Sequence, residues 1–238
     1  MEKSKAYDLP VRIFHWVFAI LFVISFSIAQ IFDDESSKYG YHMLSGILMV
    51  FIVILRIIWG FLGAKTSKFS SFKLRPSDLI AYMKSAITSK SRRYLGHNPA
   101  SSYAAIFMML FTIGLGLSGY MMTERISKRL FKEIHEILAN GFLVIVIFHI
   151  AGIILHQIKH KDGMIFSMFN GLKAKVADET EIKSNYLVIA FVFILLIVGM
   201  GGHLLKNFDE GTGQLNAFGT QFQLGEQKKH LDKKEEHH

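Results

Sequence analysis

The chain has 238 residues, of which 51% are apolar, and its 27 Lys and Arg against 19 Asp and Glu give a net charge of +8. The apolar residues stand in long unbroken runs, a pattern typical of membrane spans that argues against a soluble globular protein. Cysteine is absent from the sequence, which excludes disulfides, thiolate metal sites, iron–sulfur clusters ligated by this chain and covalent c-type haem attachment. Metal ligands must therefore come from His, carboxylates, Met or Tyr.

Five apolar runs of about 20 residues are each long enough to cross a hydrocarbon core of about 30 Å. They predict transmembrane helices at about 10–31, 42–62, 101–123, 133–158 and 185–205. The first run is too long for a cleaved signal peptide, and Asp33-Asp34-Glu35 follows it instead of a cleavage site. We expect a four-helix core in 1–176, a linker and fifth transmembrane helix in 177–205, and a flexible polar tail in 206–238.

Basic residues concentrate in alternate connections between the spans. The connection 64–100 carries eight basic residues and one acid, Asp78. With the N-terminus in the cytoplasm, the inner segments carry 16 basic residues and the two outer loops carry 5. By the positive-inside rule this bias predicts a cytoplasmic N-terminus and a periplasmic tail, and it explains the net charge without nucleic-acid binding.

The long connection before the third span contains a further helix signal. In Pro76–Thr88, apolar residues recur at helical spacing, which predicts a short helix on the inner membrane surface with Ser77 as its N-cap. Asn98 followed by Pro99 is a typical N-cap and first helical residue, so the third span is predicted to begin there.

Two histidines of the fourth span, His135 and His149, are 14 residues apart. They therefore face roughly one side of the helix and are separated by about 21 Å along its axis. His42 at the outer end of the second span and His15 at the inner end of the first supply a partner at each depth. Two bis-imidazole pairs stacked across a bilayer are typical of a dihaem b-type cytochrome, and imidazoles buried in a membrane bundle indicate a functional site.

Two arginines lie close to these histidines in the sequence. Arg56 is 14 residues after His42 and faces the same interior. A buried arginine in a membrane helix needs an anion, which haem propionates supply, although snorkelling to the inner interface near Trp59 explains Arg56 equally well. Arg12, three residues before His15, is a candidate of the same kind.

Glycines follow two of the candidate ligands at about one helical turn. Gly46 follows His42 and Gly152 follows His149, so a flat macrocycle has room to approach either helix. Ordinary small-residue helix packing explains these glycines equally well, as it does Gly114, Gly116 and Gly119 on the third span.

The remaining histidines allow several interpretations. His156 lies two turns after His149 on the same face of the helix. This position allows three interpretations: a ligand in place of His149, a proton acceptor at a quinone pocket, or a residue of the polar interface. His97, beside the predicted cap of the third span, is expected to be structural or interfacial. His203 has no partner of matching depth, and we expect no role for His230, His237 or His238.

The ordered set of these motifs resembles a known family. The motifs are Pro10-Val11-Arg12-Ile13-Phe14-His15-Trp16, His42, Arg56-Ile57-Ile58-Trp59-Gly60-Phe61-Leu62-Gly63, Gly96-His97-Asn98-Pro99, the paired His135 and His149, and Met168-Phe169-Asn170-Gly171. Together they are similar to the bacterial cytochrome b561 and nickel–iron hydrogenase b-type cytochrome superfamily, which includes formate dehydrogenase gamma subunits. The resemblance covers about Ala6 to Lys175.

The resemblance implies an all-α integral membrane protein of the bacterial inner membrane, in which a four-helix bundle holds two b haems. Matching positions give His15 and His149 as ligands of the inner haem iron, and His42 and His135 as ligands of the outer one. Family members pass electrons between the quinone pool and an outer redox partner, so we expect lipid, quinone and a periplasmic redox protein or catalytic subunit as partners. The fifth span and the tail exceed the four-helix core of the family.

The resemblance leaves two function classes to compare. We favour an electron-transfer subunit that links quinone to a hydrogenase- or dehydrogenase-type subunit or a c-type cytochrome. A stand-alone oxidoreductase acting on quinone and a small oxidant or superoxide is the alternative, and the basic outer loop Arg125–Arg129 suits an anion or an acidic partner. A His-lined metal transporter without haem is a third hypothesis.

Overall fold

The computed structural model of the chain describes residues 2–88, 93–176 and 181–224. The helices within these residues are α1 (Leu9–Ile31), α2 (Gly40–Leu62), α3 (Pro76–Ile87), α4 (Pro99–Thr123), α5 (Lys128–His160), α6 (Met164–Asn170) and α7 (Leu187–Lys206). The strands are β1 (Lys3–Lys5), β2 (Leu172–Ala174), β3 (Phe208–Asp209), β4 (Gln214–Ala217) and β5 (Thr220–Gln223).

The five longest helices, α1, α2, α4, α5 and α7, are long and apolar enough to cross a membrane, as the five apolar runs predict. Their ends differ from the predicted ones by two residues or fewer, except at the start of α5. That helix begins at Lys128 rather than at about residue 133, because its first turns are polar and the apolar run cannot mark them. The chain is therefore a multi-pass membrane protein.

Side-chain caps and prolines fix where the first helices begin. Asp8 caps α1, accepting a hydrogen bond of 3.0 Å from the Val11 amide. Asn98 caps α4 with a bond of 2.8 Å from the Ser101 amide, so the predicted start of the third span is confirmed. The predicted N-cap of α3 is wrong: Arg75 is the N-cap, and Ser77 already lies inside the helix behind Pro76. A proline is favoured at the first helical position, since no partner is needed there for the missing N–H.

Four of the long helices form a bundle around a central aromatic contact. In this bundle α1 packs beside α2, α2 beside α4, and α4 beside α5. Phe142 of α5 meets Phe22 and Phe18 of α1, with ring centroids 5.0 and 6.1 Å apart. The fifth long helix, α7, packs on the outside of α1 and α2. We call the end of the bundle at which α1 begins the near end, and the opposite end the far end.

The near end is closed by the N-terminal residues and the segment that follows α6. Strands β1 and β2 are antiparallel, and Lys3 pairs with Ala174. The amide of Ala6 continues this contact with a hydrogen bond of 2.8 Å to the Gly171 carbonyl. Gly171 has a φ of +78°, and a Cβ atom there would lie 2.8 Å from the Tyr7 carbonyl oxygen, so only glycine suits both the conformation and the space.

The far end carries a three-stranded antiparallel sheet, β3-β4-β5, which we call the terminal sheet. It differs from the flexible tail that the composition of residues 206–238 predicts. Phe218 and Gly219 join β4 to β5 with φ values of +56° and +75°, the two-residue turn that suits the twist of a hairpin. Leu215, Ala217 and Leu224 are buried against α2 and α7, so the sheet is anchored by apolar packing. The rest of the tail, with His230, His237 and His238, lies outside the described residues.

Candidate metal centres

The structure brings His42 of α2 and His135 of α5 together near the far end of the bundle. The centroids of the two imidazole rings are 6.2 Å apart, and the ring planes make an angle of 67°. A metal ion binds a histidine nitrogen at about 2.0 Å, and the ring centre lies about 1 Å beyond that nitrogen. Two imidazoles on opposite sides of one metal ion thus have centroids about 6 Å apart, so the observed spacing fits a shared ion.

Hydrogen bonds orient both rings of this far pair in the same sense. Nδ1 of His42 lies 2.9 Å from the Ser25 carbonyl oxygen, which only accepts, so Nδ1 carries the proton. Nδ1 of His135 lies 3.0 Å from Oγ of Ser118, whose own proton goes to the Leu115 carbonyl. In the part of the chain that the structure describes, no hydrogen bond reaches Nε2 of either ring. Both histidines therefore offer the Nε2 lone pair, the arrangement in which a second neighbour fixes a metal-binding imidazole.

The second pair, His15 of α1 and His149 of α5, lies toward the near end. The two rings are close enough to interact electrostatically. Nδ1 of His15 is buried and has no hydrogen-bond partner among the described residues. Because His149 is 14 residues from His135 on the same helix, the two candidate centres are separated by about 21 Å along α5.

Unpaired polar atoms gather around the near pair. Four buried side-chain nitrogens have no partner among the described residues: Nε of Arg12, Nδ1 of His15, Nη1 of Arg56 and Nδ1 of His97. A buried polar atom without a partner costs about 1–3 kcal/mol, and more when it is charged. All four belong to segments at the near end, and His97 interacts electrostatically with both Arg56 and His149. Such a cluster fits a ligand that carries carboxylate groups, since these form the strongest hydrogen bonds with guanidinium donors.

Arg56 is buried at 3% exposure, and its Nη2 donates a hydrogen bond of 3.0 Å to the Ser67 carbonyl in the loop that follows α2. The guanidinium also lies over the Phe69 ring, 5.3 Å from its centroid. Its burial agrees with a position in the bundle interior, and its bond to the loop agrees with a position close to the near end, so both sequence interpretations remain. The second guanidinium nitrogen, Nη1, remains available for an anion.

Asp8 is a buried residue of this region that sequence reasoning did not single out. It is fully inaccessible to solvent, and Oδ2 accepts hydrogen bonds from Ser67 Oγ at 2.7 Å and from the Trp59 indole at 3.1 Å. These bonds tie the start of α1 to the end of α2 and to the loop that follows it. The only sequence signal for Asp8 is its position as a cap two residues before Pro10.

His97 is a second residue whose place in this buried region the sequence does not predict. Its ring lies against Phe72 at 4.6 Å and against Tyr7 at 5.4 Å between centroids. Burial first, and then the positive charge of Arg56, lower the pKa of His97 to about 3, so the ring is neutral at pH 7. The cluster of unpaired atoms therefore includes a loop residue that we expected to be structural or interfacial. Its sequence signal is the Gly96-His97-Asn98-Pro99 motif.

His156 belongs to a buried polar network rather than to either pair. Tyr82 Oη lies 3.3 Å from its Nδ1, and Oδ2 of Asp162 lies 3.1 Å from its Nε2. Asp162 is also 3.4 Å from Nζ of Lys173, which donates to the Tyr94 carbonyl. Both ring nitrogens of His156 are therefore engaged, which argues against the interpretation that it replaces His149 as a metal ligand.

Two members of this network that lie outside the bundle, Tyr82 and Asp162, have shifted pKa values. Burial raises the pKa of Tyr82 to about 12. For Asp162, burial acts to raise the pKa, but the hydrogen bond from His156 and the charge of Lys173 outweigh it and lower the pKa to about 2. At pH 7 the network thus holds a charged Asp162 and a neutral Tyr82.

The glycines of the bundle differ in how much free space lies beside them. A Cβ atom built on Gly46 or on Gly152 would meet nothing within 4 Å, so both positions leave open space one turn from His42 and from His149. By contrast, a Cβ atom on Gly116 would lie 2.4 Å from Val50, which identifies this glycine as a helix-packing residue. Gly46 is partly buried, so its open space is compatible with the macrocycle interpretation, whereas Gly152 is exposed and Gly116 fits ordinary packing.

An apolar layer separates the far pair from the near pair. Phe142 is 2% exposed and lies midway between His135 and His149, seven residues from each. It packs with buried residues of the three other bundle helices: Phe18, Met49, Val53 and Met109. Among the described residues, no group of three or more His, Asp or Glu side chains forms a metal site, so the far and near pairs remain the two candidate centres. His203 contacts Asn207 and Phe218 and belongs to neither pair.

Comparisons with known proteins bear on most of this chain. A family model described as prokaryotic cytochrome b561 matches residues 6–171, which include both histidine pairs and the four residues with unpaired buried nitrogens. Neither curated proteins nor solved structures gave a significant match. The match ends before β2, so α7 and the terminal sheet lie outside it.

Proposed function

The chain belongs to the prokaryotic cytochrome b561 family of membrane b-type cytochromes, and we propose that it holds two haems b and carries electrons between the quinone pool and a periplasmic redox partner. The observation that carries this proposal is the far pair, whose imidazoles lie 6.2 Å apart with both Nε2 atoms available. A second pair about 21 Å away supports a second haem, since electrons must cross most of a bilayer of about 30 Å.

The residues divide the work of holding the two haems. His42 and His135 hold the outer haem, and His15 and His149 hold the inner one. Haem b supplies a one-electron redox couple when bound. Ser25 and Ser118 fix the rings of the outer ligands by accepting their Nδ1 protons, which also makes Nε2 more basic.

The inner haem site provides partners for carboxylates. Arg12 and Arg56 each present a buried nitrogen without a hydrogen-bond partner among the described residues. We assign these side chains to the haem propionates, because a buried guanidinium gains most from a carboxylate. We also assign the open space beside Gly46 to the edge of a macrocycle.

We propose that the near end lies in the cytoplasm. Basic residues concentrate in the connections of the near end, in agreement with the positive-inside rule. The far end with the terminal sheet then faces the periplasm of a bacterial inner membrane. We propose that His156, fixed between Tyr82 and Asp162, anchors the cytoplasmic end and does not ligate haem.

The proposal is tested by counting haems in purified variants. The purified chain should bind two haems b and show reduced b-type absorption bands. His42→Ala and His135→Ala should each lose one haem, whereas His203→Ala should keep two, because His203 contacts Asn207 and Phe218 and belongs to neither pair. A wild-type content well below two haems per chain, or an equal loss of both haems in every variant, would contradict the dihaem assignment and its pairing.

A stand-alone oxidoreductase acting on a small oxidant or superoxide is the second candidate. It is favoured by the basic residues Lys128 and Arg129 on the far end, about two turns before His135 on the same helix, which suit a small anion. Turnover between quinol or quinone and a small acceptor or donor by the purified chain alone would favour this function. Purification only together with a partner chain would favour the electron-transfer subunit.

A further inference from the structure

The terminal sheet lies outside the residues matched by the family, yet it packs on the turn of α2 that carries His42. We propose that residues 207–224 form a positioning clamp that fixes His42 as a ligand of the outer haem. This inference rests on the proposed function. It assigns a role within that function to a part of the chain that the four-helix core does not include.

The first contact of the clamp lies two residues before His42. The ring of Phe208 rests directly on Gly40, where a Cβ atom would lie only 2.3 Å from the ring edge. The ring also meets Tyr41 edge to face, with centroids 5.5 Å apart. Glycine at position 40 thus permits a close approach of β3 to the backbone of the first turn of α2.

A polar contact holds the same turn. Glu210 accepts a hydrogen bond of 2.9 Å from the Tyr41 hydroxyl and one of 3.5 Å from the Ser37 hydroxyl. Tyr41 lies in the first turn of α2, and Ser37 lies three residues before that helix begins. A carboxylate acceptor makes such bonds stronger than neutral ones, so Glu210 restrains the first turn of α2 and the residues just before it.

An apolar contact follows on the other side of the ligand. Leu44, two residues after His42, is 5% exposed and packs with buried residues of α7 and the terminal sheet: Leu204, Leu215, Ala217 and Leu224. The sheet also reaches α4, where Phe222 lies 6.4 Å from the Tyr120 ring. Tyr120 is two residues after Ser118, the hydrogen-bond partner of His135.

These contacts place His42 between two supports. On one side Nδ1 bonds to the Ser25 carbonyl of α1, and on the other the clamp grips the residues before and after His42. Partners that orient a metal ligand change metal affinity by about 10–100-fold when they are removed. Loss of the clamp should therefore weaken the outer haem site and leave the inner site, which lies about 21 Å away, unchanged.

Two truncations test the clamp. Removal of residues 208–238 should lower the outer haem content or shift its low-spin electron paramagnetic resonance signal, with the inner haem retained. Removal of residues 225–238 only is the matched control, because it leaves the terminal sheet intact, and it should retain both haems unchanged. Equal loss of both haems, or no change in either, would overturn the clamp.

A pair of substitutions keeps the test decisive if the larger truncation does not fold. Phe208→Ala removes the ring that rests on Gly40, whereas Phe218→Ala removes a ring of the same sheet that is 66% exposed. We expect Phe208→Ala to speed dissociation of the outer haem about tenfold, in the range seen for partners of metal ligands, and to shift its resonance signal. Phe218→Ala should do neither.

The outcomes distinguish the clamp from the proposed function itself. A wild-type chain without two haems would refute the proposed function. A wild-type chain with two haems and a Phe208→Ala variant identical to it in haem dissociation and resonance signal would refute the clamp alone. The same shift in both phenylalanine variants would also refute it, since the effect would then not come from the contact with Gly40.

Discussion

At the scale of single residues, one hydrogen bond decides which nitrogen of a histidine is available to a metal ion. In the far pair each ring lies against both a serine hydroxyl and a main-chain carbonyl. Nδ1 of His42 is 3.0 Å from the Ser25 hydroxyl and 2.9 Å from the Ser25 carbonyl. His135 is 3.0 Å from the Ser118 hydroxyl and also bonds the Leu115 carbonyl. The main-chain acceptor of either ring survives substitution of the serine, whereas the hydroxyl does not.

Substitution of the two serines should therefore have similar and small effects. Ser25→Ala and Ser118→Ala each remove a hydroxyl and leave a carbonyl acceptor for the ring proton. We therefore expect the outer haem to dissociate less than about tenfold faster in either variant, below the effect of removing a partner of a metal ligand. Transfer of haem to an excess of a haem-free acceptor protein measures both rates. An increase of about tenfold or more in either variant would show that the serine hydroxyl, and not the carbonyl, orients that ligand.

Residues that act through contacts distant in sequence were the hardest to predict. His97 and Asp8 make their decisive contacts with residues far along the chain; Ser67, for example, is 59 positions from Asp8. No local pattern encodes such a pairing. By contrast, His135 and His149 are 14 residues apart within one helix, and helix geometry alone places them at two depths in the bundle.

At the scale of elements, the buried network of Tyr82, His156, Asp162 and Lys173 joins segments that have little else in common. Its members belong to α3, the end of α5, the turn before α6, and β2. Lys173 also donates to the Tyr94 carbonyl in the loop that leads to His97. The network therefore couples the surface helix α3 and the loop of His97 to the bundle.

This network should make stability depend on pH. Because the pKa of Asp162 is lowered to about 2 in the folded chain from about 3.9 when unfolded, its ionised form stabilises the fold above about pH 4. That contribution is lost as the pH falls from about 4 toward 2. Asp162→Asn should lower the unfolding temperature at pH 6, and its difference from wild type should shrink at pH 3.

Thermal unfolding of the detergent-solubilised chain at the two pH values measures this difference. Asp33→Asn, at an exposed position in the loop between α1 and α2, controls for the loss of one carboxylate. A difference between wild type and Asp162→Asn that is equal at pH 6 and at pH 3 would show that ionisation of Asp162 does not stabilise the fold.

The elements that the sequence predicts correctly have a stronger local signal than those that it does not predict. The long helices are specified by unbroken apolar runs, and the start of α4 by the pair Asn98 and Pro99. The terminal sheet was missed because its strands have only two to four residues and its apolar side chains bury against α2 and α7 rather than forming a local pattern. Only its turns, such as Phe218-Gly219, carry a local signal.

At the scale of the whole molecule, the bundle has three layers: the far pair, the apolar layer around Phe142, and the near pair with its unpaired nitrogens. Phe142 meets rings of α1 on one side, at 5.0 Å from Phe22. Because all four bundle helices contribute side chains to this middle layer, it packs the bundle together between the proposed haems.

Substitution of Phe142 should test the middle layer. Phe142→Ala leaves a cavity, and large-to-small changes of this kind cost about 3–5 kcal/mol in a protein core. Phe142→Leu should cost less, since most of the volume remains. Chemical or thermal unfolding of the solubilised chain measures both, and a loss for alanine as small as that for leucine would show that the layer does not support the bundle.

Because the apolar layer separates the two proposed haems, an electron that passes between them gains or loses energy in the membrane potential. An electron that passes between the proposed haems moves about 21 Å, or roughly two thirds of a hydrocarbon core of about 30 Å. A full crossing is worth about 2.3 kcal/mol per 100 mV, so this passage is worth about 1.5 kcal/mol per 100 mV. A membrane potential positive outside therefore favours electron flow toward the periplasmic haem and opposes flow toward the cytoplasmic one. In vesicles that carry this protein, electron transfer across the layer should generate a voltage by itself.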